Sequence, residues 1–179
     1  MAINFQEMID YSEIIDDILA VVEEETPVLL GLPEDVITGR LNCQNRSIKM
    51  LVGHMIDSAS NNQQRMVRLQ YAPRVGYSLP DGKGERGMLV FPDYTQDNDL
   101  WIRIQDYQHE DWPTLVQLWR CANLHITQVI KSVDQSKLKN YWLDFEGNQV
   151  TLDAMIRGYL EHLKLHIGQI HELLACVDF

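Results

Sequence analysis

The chain has 179 residues, of which 45% are hydrophobic and 23% are charged, a composition that excludes wholesale disorder. It carries 26 acidic and 15 basic residues, which gives a formal net charge of −11. Because nucleic acids and anionic membrane surfaces are both bound through Lys and Arg, this charge argues against either partner. The length predicts a single domain over residues 1–179.

Four stretches with apolar residues at every third or fourth position predict four long helices. They cover about residues 5–25, 47–71, 111–133 and 151–176. Helices of roughly 20 residues, each with one apolar stripe, predict an all-α four-helix bundle. We expect an up-down-up-down arrangement, in which the second and fourth helices are parallel.

Residues that cap or break helices predict where these elements begin and end. Asn4 is the predicted N-cap of the first helix, and Thr26-Pro27 together with Gly31-Leu32-Pro33 predicts its end. Pro113 suits the first turn of the third helix, and Thr151 is the predicted cap of the fourth.

The segment between the second and third helices, residues 74–105, is predicted to be a long connector. It contains Pro80, Pro92 and four glycines. A connection of this length is usually functional or partly structured. We expect the short apolar runs at 88–91 and 100–104 to pair as a small hairpin.

Two histidines on the fourth helix have a spacing that allows them to bind one ion. His162 and His166 are four residues apart, so they lie about 40° apart on one face, beside the apolar stripe. Neutral imidazoles next to a core need partners. Either a metal ion or hydrogen bonds to other helices would supply them.

A third histidine, His54, heads a polar column on the second helix that also includes Ser58, Asn61 and Arg65. If the second and fourth helices are parallel, His54 and His162 lie about 10 Å and 16 Å from the same end of the bundle. The three imidazoles can then share one level. Three neutral imidazoles that leave a position for water describe an open metal site of the catalytic kind.

Four further residues are candidates for supporting roles at this site. Asp57 is predicted to orient the His54 ring or a bound water, although a solvated position or a salt bridge to Arg65 would also explain it. Asn61 and Gln169 are candidate contacts to substrate or water. Trp142, in the segment before the fourth helix, is a candidate for the mouth of a substrate pocket.

The cysteines do not suggest a disulfide framework or a zinc ribbon. Cys43, Cys121 and Cys176 are odd in number, far apart and without a CxxC. The N-terminal residues lack the pattern of a signal peptide, and no apolar run reaches the roughly 20 residues of a membrane span. We therefore expect a cytoplasmic protein with reduced thiols.

Two segments of the sequence resemble the DinB-like (YfiT-like) bundle family. They are Ser47-Ile-Lys-Met-Leu-Val-Gly-His54-Met-Ile-Asp57, and Gly158-Tyr-Leu-Glu-His162-Leu-Lys-Leu-His166-Ile-Gly-Gln169-Ile. The early H-x-x-D combined with the late H-x-x-x-H-x-x-Q-I is fairly specific, whereas either alone would not be. One departure is visible, because Arg46 stands where the family commonly has a tryptophan, which puts the local packing in question.

The resemblance implies a four-helix bundle that binds a divalent metal through His54, His162 and His166. Zinc or nickel is the metal often found in the family, and iron or manganese would also suit imidazole ligands. Family members are often described as metal-dependent hydrolases, and some relatives transfer or isomerise thiol-linked substrates. Many are stress-induced bacterial proteins, and many form homodimers.

Three functional hypotheses follow. In the first, metal-activated water hydrolyses a small-molecule substrate at the three-histidine site. In the second, the same ion holds a low-molecular-weight thiol for transfer or isomerisation. In the third, the bundle is not catalytic, and the metal is structural or absent.

Overall fold

The computed structural model describes residues 9–71, 74–76, 89–90 and 94–175. Within these ranges the chain forms six α-helices and a small four-stranded sheet. The helices are α1 (Ser12–Leu30), α2 (Glu34–Gly39), α3 (Ile48–Tyr71), α4 (Tyr94–Gln105), α5 (Trp112–Lys131) and α6 (Leu152–Ala175). The strands are β1 (Arg74–Gly76), β2 (Leu89–Val90), β3 (Tyr141–Leu143) and β4 (Gln149–Thr151). The predicted all-α four-helix bundle is confirmed, with α1, α3, α5 and α6 as its long helices.

The first helix starts later and ends later than its apolar spacing predicts. Asn4 lies outside the described residues, and the helix begins only at Ser12, whose amide and hydroxyl both donate to the Asp10 carboxylate. Pro27 lies inside α1, which continues to Leu30. The last turn persists because Leu29 is fully buried and its carbonyl accepts a hydrogen bond from the Trp112 indole at 2.8 Å. Tertiary packing therefore overrides the helix-breaking proline.

The other three long helices begin and end close to their predicted bounds. The Asp111 carboxylate accepts a hydrogen bond from the Thr114 amide at 3.0 Å and caps α5. The Thr151 hydroxyl accepts from the Ala154 amide at 3.1 Å and caps α6. The Thr151 cap is the one that the sequence predicts, whereas the Asp111 cap precedes Pro113, the first-turn proline from which the start of this helix is predicted.

The connector contains more regular structure than expected, and the predicted hairpin is wrong. Leu89–Val90 is a strand, but it pairs in parallel with β1, while residues 100–104 belong to α4. A strand would place Leu100, Ile102 and Ile104 on one face. In the structure Ile102 is buried, whereas Leu100 and Ile104 are exposed, as expected for a helix that packs along one side.

The order of the helices around the bundle also differs from the predicted up-down-up-down arrangement. Both α1 and α3 pack against α5 and α6, so α1 lies diagonally opposite α3. Along α3, His54 faces His166 and the following turn at Ser58 faces His162, which makes α3 and α6 antiparallel. The prediction that they are parallel is wrong, because the long connector carries the chain back along the bundle between α3 and α5.

The sheet lies where α3 ends and α6 begins. Its strand order is β2-β1-β3-β4, with β1 parallel to both β2 and β3, and β3 antiparallel to β4. The Asn140 carbonyl accepts from the Leu152 amide at 2.8 Å, so β3 and the start of α6 are held together. Trp142 in β3 is thereby buried against the bundle.

Candidate metal centre

The polar column on α3 faces the interior of the bundle. His54, Ser58 and Arg65 are all buried, with no more than 5% of their surface exposed. A helix tolerates buried polar groups of this kind only when each has a partner or serves a ligand. The column therefore identifies the α3–α6 contact as the place where function should be sought.

The three predicted histidines converge at this contact. One ring nitrogen from each of His54, His162 and His166 lies within 4.8 Å of the others. The His162 and His166 Nε2 atoms are 3.0 Å apart, and the His54 ring centroid lies 4.6 Å from that of His166. The antiparallel packing of α3 and α6, rather than the predicted parallel packing, brings them to one level.

Each imidazole is held through its Nδ1 atom. Nδ1 of His54 lies 2.7 Å from the Tyr94 hydroxyl, and Nδ1 of His162 lies 3.3 Å from the Ser58 hydroxyl. Nδ1 of His166 donates to the Gln169 side-chain oxygen at 2.9 Å. Since that oxygen only accepts, the proton of His166 resides on Nδ1 and its Nε2 lone pair is directed towards the cluster.

The electrostatic environment keeps these rings neutral. Burial, the His166 and His162 rings and the Arg46 charge lower the pKa of His54 to about 3. Burial and the His166 ring lower the pKa of His162 to about 4. Burial also lowers the pKa of His166, despite the opposing hydrogen bond to Gln169. Three neutral imidazoles at pH 7 are the protonation state that metal ligation requires.

The cluster fits a divalent ion by its chemistry and its spacing. In a tetrahedral zinc site, nitrogens about 2.0–2.1 Å from the metal lie about 3.3 Å from one another. The 3.0 Å between the Nε2 atoms of His162 and His166 is close to this value. Without an ion these two atoms can share only one proton, so a cation is the partner that satisfies both lone pairs together.

Tyr94 is a site residue that the sequence did not suggest. It is the first residue of α4, it is buried, and its ring stacks on His54 with an interplanar angle of 23°. Burial and the Asp57 carboxylate raise the pKa of Tyr94, so the phenol remains protonated at neutral pH. Tyr94 could not be assigned to the site from the sequence, because it lies in the connector and its spacing from the histidines follows no helical pattern.

Asp57 is buried one turn beyond His54, and its carboxylate contacts residues of the segment between α3 and α5. Its Oδ1 accepts from the Gln105 amide and from the Tyr107 hydroxyl, both at 2.7 Å. Burial raises the pKa of Asp57, while the hydrogen bonds from Gln105, Tyr107 and Tyr94 oppose that rise. Asp57 thus contacts Tyr94, and Tyr94 in turn contacts Nδ1 of His54.

Arg46, just before the start of α3, anchors α4 over the site. Its buried guanidinium donates to the carboxylate of Asp99 and to the side chain of Asn98 at 3.1 Å. The contact holds α4 against the start of α3, and it therefore helps to keep Tyr94 on His54. With Arg46 at this position the three histidines lie together.

A cavity of about 290 Å³ opens beside the histidines, between α3 and α6. From α3 it is lined by His54, Ser58, Asn62 and Arg65. From α6 it is lined by Ala154, Met155, Gly158, Tyr159 and His162. Tyr94, Asn98, Trp142 and Val150 complete the lining. The volume is close to the lower end of the range for ligand pockets, roughly 300–1,000 Å³.

The predicted substrate contacts fall in different places. Trp142 lines the cavity, where the Arg65 guanidinium lies 4.0 Å above its ring. Gln169 contacts His166 and so supports the cluster. Asn61 donates to the Asp57 carbonyl at 2.8 Å within α3, while Asn62, its neighbour, lines the cavity.

The other candidate groups among the described residues lie outside the three-histidine cluster. Cys43 and Cys121 are exposed free thiols, and Cys176 lies outside the described residues. The His171 ring lies 3.0 Å from the Glu25 carboxylate, on another side of α6.

No helix in the described part of the chain has the length and apolar character to cross a membrane.

Comparison with solved structures shows which known fold this is. The chain is similar to YfiT from Bacillus subtilis, which is described as a probable metal-dependent hydrolase with an unusual four-helix bundle topology. The TM-score is 0.73 at 16% sequence identity, and the match covers 94% of this chain and 89% of the other. Neither the protein-family models nor the curated proteins gave a match to this sequence. The likeness establishes a YfiT-like fold.

Proposed function

We propose that the chain binds one divalent metal ion through His54, His162 and His166 and is a metal-dependent hydrolase of small molecules. The observation that carries the proposal is the convergence of three neutral imidazoles beside a cavity. YfiT, whose fold this chain shares, is described as a probable metal-dependent hydrolase, which supports the same assignment. Zinc and nickel are the first metals to test, since both suit imidazole ligands.

The hydrogen bonds to Nδ1 would prepare the three rings for the ion. With Tyr94, Ser58 and Gln169 placed at Nδ1, Nε2 is the nitrogen that each ring would offer to the ion. Outer partners of this kind fix the tautomer and the orientation of ligating histidines. In this proposal Asp57 is a positioning residue that acts through Tyr94.

When bound, the ion would supply Lewis acidity and lower the pKa of water to about 7, which provides a nucleophile at neutral pH. The chain itself would bind and orient the substrate. The apolar walls of Met155, Tyr159 and Trp142 would exclude bulk water. Among the α3 residues that line the cavity, Ser58 and Asn62 are the polar side chains nearest in sequence to His54, and they would hold a polar part of the substrate.

Metal content tests the ligand assignment directly. Wild-type protein should carry close to one equivalent of metal by elemental analysis, and His162→Ala should lose it while its circular dichroism is retained. His171→Ala is the matched control, since it removes a histidine from the same helix outside the cluster. Retention of full metal by His162→Ala would refute the site, and loss of the fold together with the metal would make the site structural.

The reaction class needs a separate test, because a bound thiol would use the same ion. In cobalt-substituted protein, a thiol that ligates the ion produces an intense sulfur-to-metal absorption band. Metal-dependent cleavage of a panel of nitrophenyl esters without such a band supports hydrolysis. A strong band with added thiol and no cleavage of the esters would favour thiol transfer instead.

A further inference from the structure

We infer that the part of the cavity at the start of α6 holds a phenyl-sized apolar group, and that the substrates are esters or amides that carry such an aryl group close to the bond that is cleaved. This inference rests on the proposed function, since it names the substrate class of the same site. Its carrying observation is the change in the lining along α6, from the imidazole of His162 to the apolar surface around Gly158, one turn earlier. Gly158 would determine the size of the group that is accepted.

Two side chains from the small sheet form one wall of this part of the cavity. Trp142 in β3 and Val150 in β4 are directly opposite each other in the antiparallel pair, and both line the cavity. Because residues opposite each other in such a pair point to the same face, the two side chains lie side by side. The Arg65 guanidinium lies 4.0 Å above the Trp142 ring and helps to hold it in place, so the wall is formed before a ligand arrives.

The side chains that α6 contributes here suit an aromatic ligand. The Tyr159 hydroxyl donates to the side-chain oxygen of Asn123 at 2.6 Å, which uses the one donor of the phenol. Tyr159 therefore offers mainly ring surface to a ligand. Met155 lines the same part of the cavity, and its sulfur is a favourable neighbour for an aromatic ring. Two aromatic rings and a thioether together favour an aryl group.

Gly158 provides the space for this group. It lines the cavity, and a Cβ at this position would have no neighbour within 4 Å, so a larger side chain would take up room that a ligand needs. An apolar cavity of about 150 Å³ is large enough to bind benzene. The 290 Å³ of this cavity therefore leaves room for a phenyl-sized group and for a reacting group of similar size.

The spacing along α6 relates the aryl group to the bond that reacts. Gly158 and His162 are four residues apart, which is about 6 Å along the helix. A phenyl ring beside Gly158 therefore places the atoms attached to it next to the imidazoles. Ser58 and Asn62, which line the cavity from α3, are then left for the polar part of the ester or amide. The geometry thus favours aryl and benzyl compounds over compounds with a long linker.

Titration of metal-free protein with two matched alcohols, followed by NMR, tests the inference. The probes are 2-phenylethanol and ethanol, which differ by the phenyl ring. We expect 2-phenylethanol to bind at least about tenfold more tightly, because its ring is transferred from water to apolar surface. Gly158→Leu should abolish this difference by filling the space, and Gly158→Ala should reduce it only in part. Gly168→Leu is the matched control, since this glycine is also in α6 with open space at its Cβ, and it should leave binding unchanged.

A third probe keeps the test decisive if Gly158→Leu does not fold. The compound 9-anthracenemethanol carries three fused rings, which exceed the space beside Gly158, so it should bind the wild-type protein at least about tenfold more weakly than 2-phenylethanol. Equal affinity for these two probes, no binding of 2-phenylethanol, or unchanged binding in folded Gly158→Leu would overturn the inference. Because the titrations use metal-free protein, phenyl binding without metal binding would refute the proposed function alone. Metal binding without phenyl binding would refute this inference alone.

Discussion

The substitution Gly53→Ala should destabilise the protein, although alanine is the better helix former. Gly53 lies in the middle of α3, next to His54, and the Tyr107 ring packs directly against its backbone. A Cβ at this position would lie 2.1 Å from Cδ2 of Tyr107 and 2.3 Å from its Cγ. Carbon atoms in contact need about 3.5 Å, so the ring has to move by about 1.4 Å.

The expected cost follows from what that movement breaks. Overpacking of this kind costs about 1–3 kcal/mol. The displaced ring would also lose the 2.7 Å hydrogen bond from its hydroxyl to Asp57, and a bond to a charged group contributes about 1.5–3 kcal/mol. Replacing glycine by alanine inside a helix stabilises the helix by about 1 kcal/mol, which offsets part of this loss. The net loss in the free energy of unfolding is therefore about 1.5–5 kcal/mol.

Urea unfolding followed by circular dichroism measures this loss. Gly168→Ala is the matched control, because it gains the same helix propensity at a position with nothing within 4 Å, and it should be neutral or stabilising. In a Tyr107→Ala background the clash is absent, so Gly53→Ala should lose most of its effect in the double-mutant cycle. If Gly53→Ala is as stable as the wild type, the close packing of Tyr107 on α3 is refuted.

Two further predictions concern the histidine cluster. In metal-free protein, stability should fall as the pH drops below about 6.5, because the unfolded state binds protons there while His54 and His162, with folded-state pKa values of about 3 and 4, do not. At pH 5 each of these two histidines lowers the free energy of unfolding by up to about 2 kcal/mol. Identical urea midpoints at pH 7 and pH 5 would contradict the buried neutral state of the two rings. Tyr94→Phe removes the hydroxyl at Nδ1 of His54 and should weaken metal binding by about 10–100-fold, whereas Tyr71→Phe, at an exposed residue, should not. Competition titration with a chelator measures the metal affinity of both variants. An unchanged affinity in Tyr94→Phe would exclude Tyr94 as a positioning residue.

Local chemistry determined the parts of the protein that the sequence predicted well. The start of α5 at Asp111 and that of α6 at Thr151 depend on caps a few residues long, and both caps are present. The histidine spacing at 162 and 166 places both rings on one side of α6 in any packing. The polar column that begins at His54 likewise marks the buried polar side of α3.

Contacts between distant segments decided the rest. Pro27 remains within α1 because Leu29 is buried and its carbonyl accepts a hydrogen bond from the indole of Trp112, eighty-three residues away. The histidines meet because α3 and α6 are antiparallel, and a helical pattern carries no information about the direction of its neighbour. Tyr94 joins the site only because α4 docks on α3. Periodicity reports which face of a helix is buried, whereas the identity of the covering element depends on the path of the whole chain.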